Sequence, residues 1–252
     1  MTADLTGRVA LVTGAARRTG RGLALALARA GADVVVHYGR SQREAEQVVA
    51  QIVADGRRAW AIAADLARPD AAEALVEATL AAAGRLDILV NNVGNYPLGD
   101  PLGLEPDAFR ATLETNLTAP YALIRSARAA LAASGQGHVI NLGYAGVEHL
   151  VANTRAMAYQ VSKAGLLVLT RSLAQALGPQ GVRVNMISPG HLDYSVDIPD
   201  DIGAHVPLAR PAQVADIAGA VLFLLSTAGG YITGANIDVA GGYRLSLADT
   251  LE

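Results

Sequence analysis

The sequence predicts an α/β fold, one domain over residues 1–252 built on a doubly wound parallel sheet. Three observations carry this expectation. Short β-branched runs alternate with longer Ala/Leu-rich stretches from end to end, the pattern of parallel strands joined by crossover helices. Runs such as Val34-Val35-Val36 are apolar on both faces, as strands covered by helices on two sides must be. No linker, low-complexity tract or internal repeat interrupts the 252 residues, a length ample for one sizeable core.

The elements follow in order. Arg8 to Thr13, with Val-Ala-Leu-Val at its centre, is expected as the first strand, and Gly20 to Ala30 as the helix after it. Asp33 to Tyr38 is the second strand, Ser41 to Ala54 a helix, Arg58 to Ala63 the third strand and Pro69 to Ala83 a helix. Leu86 to Asn91 makes the fourth strand, and a single helix is expected over Glu105 to Ala133. Strands near His138 to Leu142, Val182 to Ile187 and Asn236 to Val239 complete the set, separated by helices at Thr154 to Leu177 and Pro211 to Ser226. The apolar run from Ile217 to Leu225 is too short to span a bilayer, so no membrane partner is expected.

Composition excludes several classes. Lys plus Arg number 20 against 23 Asp plus Glu, a net charge of −3 that gives no general polyanion-binding field, so nucleic acid is not an expected partner. The absence of cysteine removes disulfides, thiolate nucleophiles, cysteine zinc sites and iron–sulfur clusters, and points to a reducing, cytoplasmic address. The first residues lack a basic segment followed by an apolar run, so no secretory signal is expected. The five histidines, at 37, 138, 149, 191 and 205, show no ligand spacing, and no metal site is expected.

After the first strand stands Thr13-Gly14-Ala15-Ala16-Arg17-Arg18-Thr19-Gly20-Arg21-Gly22, leading into a helix. Such a turn lets backbone N–H groups and the positive helix end meet a pyrophosphate, where side chains at the glycine positions would block approach. Placed in the first βαβ unit, it reads as a dinucleotide loop of the Rossmann type, with Gly14, Arg18, Thr19 and Gly20 as binding residues. Where NAD-specific folds carry an acid at the end of the second strand, this chain has His37-Tyr38-Gly39-Arg40-Ser41. Arg40, Ser41 and Arg18 suit a 2′-phosphate, so the expected cofactor is NADP(H), with His37 and Tyr38 beside it.

Farther on, Tyr159-Gln160-Val161-Ser162-Lys163 places a phenol and an ammonium on one helical face, one turn apart. A phenol has a reference pKa of about 10, and a neighbouring ammonium stabilises the phenolate and brings it toward the working range.

Together these residues resemble the short-chain dehydrogenase/reductase family over nearly the whole chain. The resemblance extends to Asp65-Leu66, Asn91-Asn92-Val93-Gly94, Asn116 in Thr115-Asn116-Leu117, Pro189-Gly190, and the closing Thr233-Gly234 and Asp238-Val239-Ala240-Gly241-Gly242. It implies that Asp65 and Leu66 contact the adenine end, Asn92 and Gly94 line the cofactor groove, and Pro189-Gly190 present backbone to the nicotinamide. It further implies that Lys163 holds the nicotinamide ribose and that Asn116 supports a water relay to Tyr159. A homotetramer built through Val214 to Leu225 and the tail Gly241 to Leu245 is implied as well, acting on a small-molecule substrate.

The family's serine after the fifth strand is missing; the sequence reads Asn141-Leu142-Gly143-Tyr144. Aligned on Asn141, Tyr144 stands at the serine position, fifteen residues before Tyr159, and Tyr144 or Thr154 would supply the hydroxyl. Replacement of that serine, Arg18 at the middle glycine of the loop, the end of the second strand and Tyr96 four residues beyond Asn92 resemble the pteridine reductase branch. There an aromatic ring sandwiches a pterin, so a pteridine-type reductase is the leading expectation and a 3-oxoacyl thioester or other ketone reductase the alternative. A cofactor-binding module with little catalysis is the third. The segment 191–209, polar and broken by Pro and Gly, is expected to be a substrate lid, with Tyr194 facing the substrate.

Overall fold

The computed structural model describes residues 3–195, 198 and 201–243. Seven strands form one sheet: β1 (Val9–Val12), β2 (Asp33–Tyr38), β3 (Ala59–Ala63), β4 (Ile88–Asn91), β5 (His138–Leu142), β6 (Arg183–Pro189) and β7 (Asn236–Val239). Their spatial order is β3-β2-β1-β4-β5-β6-β7, every neighbouring pair parallel. The helices are α1 (Arg18–Arg29), α2 (Gln42–Ala54), α3 (Ala71–Ala83), α4 (Pro106–Leu113), α5 (Ala119–Ala133), α6 (Met157–Leu177), α7 (Ile202–His205) and α8 (Val214–Leu225). This is the expected doubly wound Rossmann architecture.

The unbroken apolar runs have a direct cause, since successive strand residues feed two separate cores. In β1, Ala10 and Val12 pack with Leu23, Leu27, Val48 and Val221 of α1, α2 and α8, whereas Val9 and Leu11 pack with Leu75, Leu123 and Leu131 of α3 and α5. After β3 the chain crosses to the other side of β1 to form β4, so the crossover loops diverge and leave a crevice above the carboxyl ends of β1 and β4.

The single helix expected over Glu105 to Ala133 is broken. A π-helical turn, Glu114–Thr118, separates α4 from α5. Pro120 has no N–H for the carbonyl four residues back, which is that of Asn116, and its ring would clash there; the widened turn avoids both. The helix expected from Thr154 starts at Met157 because the Asn153 Oδ1 accepts the backbone N–H groups of Arg155 (2.9 Å) and Ala156 (2.8 Å), holding those residues in a turn. Within the segment expected to be a lid, residues 196, 197, 199 and 200 lie outside the described residues, as do Arg244 and Leu245 of the tail. Among the described residues, no helix is long and apolar enough to cross a membrane, and no cluster of acid and histidine side chains could hold a metal.

Candidate active site

A cleft of about 1090 Å³ opens over the carboxyl ends of β1, β4, β5 and β6. Its floor at β1 is bare backbone. Gly14 sits at φ +63°, and a Cβ on Gly20 would lie 2.2 Å from the Gly14 carbonyl oxygen and 2.6 Å from Asn92 Nδ2. The loop is stitched to the end of β4: Thr13 Oγ1 accepts the N–H groups of Asn92 (2.8 Å) and Val93 (3.1 Å), and Asn92 Nδ2 donates to the Thr13 carbonyl (2.9 Å). A glycine-lined cradle at a helix N-terminus fits a dinucleotide pyrophosphate. The Gly20→Ala variant is expected to lose dinucleotide binding and several kcal/mol of stability, about the cost of overpacking against backbone that cannot yield, as read by dinucleotide titration and denaturant melts.

Arg18 has φ +49°, a left-handed conformation uncommon for a residue bearing a side chain. Its guanidinium lies 5.7 Å from the Tyr194 ring centroid, and the Tyr194 hydroxyl bonds Thr19 Oγ1. Tyr194 therefore rests on the glycine loop. Arg17 pairs with Glu44 of α2, whose carboxyl is held below its usual range by the chain's own N–H and then by this guanidinium. His37, expected beside the cofactor, is turned into the protein. Its Nδ1 accepts the Gly14 N–H (3.1 Å) and its Nε2 donates to the Ala64 carbonyl (3.1 Å), and burial lowers its pKa and keeps it neutral. It supports the loop from below. Tyr38, Arg40 and Ser41 follow β2, and Asp65 and Leu66 follow β3. These two ends are joined by the Ala64 N–H to Tyr38 carbonyl bond (3.0 Å) and stand outside the main cleft.

At the other flank, α6 brings Tyr159 and Lys163 to the cleft wall. Lys163 Nζ lies 5.7 Å from the Tyr159 ring centroid and donates to the Leu142 carbonyl (2.7 Å) at the end of β5. The lysine is buried, and desolvation lowers its pKa from 10.5 to about 8. Asn116, in the π-helical turn, donates from Nδ2 to the Asn95 carbonyl (2.9 Å) and Ser162 Oγ (3.0 Å), while its Oδ1 accepts the Asn95 N–H (2.7 Å). A Cβ on Gly94 would meet Asn116 Oδ1 at 3.4 Å and Lys163 Nζ at 3.6 Å, so both groups border the groove below Gly94.

Tyr144 sits beside Tyr159 with ring centroids 5.8 Å apart, and Tyr96 meets Tyr159 edge to face at 4.7 Å. The Tyr144 loop is pinned to β6 by the N–H groups of Gly143 and Ala145, which donate to Ile187 and Pro189 carbonyls (both 2.8 Å). A Cβ on Gly143 would lie 2.4 Å from Ser188 Oγ and 2.8 Å from Met186 Sδ, so a larger residue before Tyr144 would have to displace those side chains. Thr154, Pro189 and Gly190 also line the cleft. Two residues that the sequence placed in the 191–209 segment and the C-terminal tail, and not in the site, join them. Tyr243 folds back from the far end of the chain so that its hydroxyl meets His191 Nε2 at 3.2 Å, with the rings 5.0 Å apart. The only sequence signal for Tyr243 is the Gly241-Gly242 pair, both at positive φ, which turns the chain against Val206, Pro207 and Leu208.

A bare glycine cradle and a phenol beside a buried ammonium in one cleft define a dinucleotide-dependent oxidoreductase. Residues 14–244 match the adh_short_C2 family model, described as enoyl-(acyl carrier protein) reductase. A 3-oxoacyl-[acyl-carrier-protein] reductase of Synechocystis sp. is 36% identical over 244 residues, 94% of this chain and 97% of the relative. Among solved structures, a blue fluorescent protein from a metagenomic library, in complex with NADPH, superposes with a TM-score of 0.89 at 35% identity, covering 96% of this chain and 99% of the other. The landomycin C-6 ketoreductase LanV, with bound NADP and rabelomycin, gives a TM-score of 0.87 at 34% identity, covering 97% and 99%. The chain belongs to the short-chain dehydrogenase/reductase family, and its class is that of an oxidoreductase.

Proposed function

We propose that this protein is an NADP(H)-dependent carbonyl reductase in which Tyr159 delivers the proton. The observation that carries the reading is the phenol of Tyr159 with Lys163 Nζ 5.7 Å from its ring, in the same cleft as the glycine cradle. Bound NADPH supplies a hydride from its nicotinamide to the carbonyl carbon. Tyr159 protonates the carbonyl oxygen as it gains charge. With a pKa of about 8, Lys163 stays mostly protonated at pH 7 and stabilises the resulting phenolate. Tyr144, at the position where the family carries serine, holds the substrate oxygen from the second side, and Asn116 connects Tyr159 to solvent protons. Gly14, Thr19, Gly20, Asn92, Gly94, Pro189 and Gly190 shape the nucleotide groove, with Asp65 and Leu66 at its adenine end.

The choice of NADP(H) is supported by Arg18 and Arg40, and by the lack of an acid at the end of β2. Arg17 is engaged by Glu44, so the proposed 2′-phosphate contacts are Arg18, Arg40 and Ser41. Both solved relatives named above hold an NADP-type cofactor. The proposal places the enzyme in the cytoplasm as a homotetramer; exposed Val161 and Val168 on α6 and Phe223 on α8 are apolar faces suited to subunit contacts.

A pteridine substrate is the second reading, favoured by the Tyr96 ring against Tyr159. None of the relatives named above is a pteridine reductase, and the carbonyl reading stands first. Oxidation of NADPH, followed by its absorbance, is expected with a β-ketoacyl thioester or a cyclic ketone, and more slowly with NADH. Equal or faster turnover with NADH would overturn the cofactor assignment, and turnover of a dihydropterin alone would favour the second reading over the first.

A further inference from the structure

Aromatic side chains are scarce here: eight tyrosines, two phenylalanines and one tryptophan in 252 residues. Five of the eight tyrosines, at 96, 144, 159, 194 and 243, nevertheless line a single cleft, and they come from five separate stretches of chain. Around the proposed proton donor the rings are arranged as walls. Tyr96 stands at 83° to Tyr159 with centroids 4.7 Å apart, and Tyr144 is tilted by 43° at 5.8 Å.

Two rings meeting near a right angle make a corner bounded by two π faces. A flat aromatic ring seated there gains an offset stack on one wall and an edge contact on the other, beyond the area it buries. A saturated acyl chain or a sugar gains no such quadrupole match. The walls are also held in place: the Tyr144 loop is tied to β6 on both sides, and Asn95, next to Tyr96, is clamped by Asn116 through two hydrogen bonds.

We infer that the substrate is a planar, fused-ring aromatic ketone whose ring system rests against Tyr96 in the corner it makes with Tyr159, while its carbonyl oxygen meets the Tyr159 hydroxyl. The inference rests on the carbonyl reductase reading and names the substrate class of that same site. The carbonyl carbon takes the hydride, its oxygen takes the Tyr159 proton, the ketone becomes a secondary alcohol, and NADPH becomes NADP⁺.

The test compares 2-tetralone with 2-decalone, two bicyclic ketones of one skeleton, one carrying an aromatic ring and the other saturated. With NADPH and the full chain, kcat/KM for 2-tetralone is expected to exceed that for 2-decalone by about tenfold, the size of two modest aromatic contacts. The Tyr96→Leu variant is expected to lower that ratio about three- to tenfold, whereas Tyr96→Phe, which keeps the ring, retains it. Tyr96 is part exposed on the loop after β4, so neither change removes core packing. Equal or better use of 2-decalone by the parent, or a ratio unmoved by Tyr96→Leu, would overturn the substrate class alone. Failure to reduce either ketone or an acetoacetyl thioester, with NADPH still binding, would overturn the carbonyl reading and the substrate class with it.

Discussion

The Tyr159→Phe variant is expected to reduce carbonyl substrates about a hundred- to ten-thousandfold more slowly in kcat/KM than the parent, the range that a positioned general acid contributes. The change removes one hydroxyl and keeps the ring, so the contacts with Tyr96 and Tyr144 and the van der Waals surface toward Lys163 survive. Melting temperature and NADPH affinity therefore stay close to the parent's, and the loss falls on the proton-transfer step. A variant retaining more than about a tenth of the parent's kcat/KM would assign the proton to another group, because a positioned general acid typically contributes about a hundredfold or more. Tyr144 would be the first to examine, since its ring lies nearest after that of Tyr96.

Substituting Lys163→Met gives the second large effect, and its signature is in stability as well as rate. The lysine has a pKa of about 8 in the folded protein against 10.5 in the reference state, with burial as the cause. Between those values the unfolded chain holds the proton more tightly than the folded one, so the parent gains stability as pH rises from about 8 to 10.5. Below pH 8 both states are protonated and burying the charge costs about 3 kcal/mol. Methionine removes that cost but leaves the Leu142 carbonyl without its donor, a loss of about 1–3 kcal/mol, so the two nearly cancel at pH 7. Denaturant melts at pH 7 and pH 10 should show the gain in the parent and none in the variant, while the variant's reductase activity collapses. A variant whose stability rises with pH as the parent's does would show that another group carries the titration.

Much of this arrangement was legible in the sequence because it is local. Val34-Val35-Val36 announced a strand covered on both faces, and the spacing of Tyr159 and Lys163 placed them on one face of a helix. Both features depend only on the periodicity of a single element. What escaped depends on contacts between distant segments. Alternation along β2 cannot say that His37 points into the protein under Gly14 rather than outward to the nucleotide. Arg17 and Arg18 are adjacent and equally basic, yet Glu44, brought near by α2, engages only the first. Tyr243 lies far beyond Tyr159 in the chain, and its return to the cleft requires the packing of Gly241 and Gly242 on Val206 and Pro207. The break in the helix after Leu113 was within reach, since Pro120 inside an apolar pattern signals that the carbonyl of Asn116 loses its regular partner.

That proline also sets the phase of everything before it. A regular helix advances about 100° per residue, and the widened turn takes in one extra residue so that the face of α4 stays in phase with that of α5. Removing a single amino acid between Leu113 and Pro120 would close the widened turn, set the Pro120 ring against the carbonyl four residues back and swing the amide of Asn116 off the Asn95 backbone and the Ser162 hydroxyl. A one-residue deletion in this stretch would thus be expected to disturb the cleft, whereas a deletion at the tip of a surface loop would not.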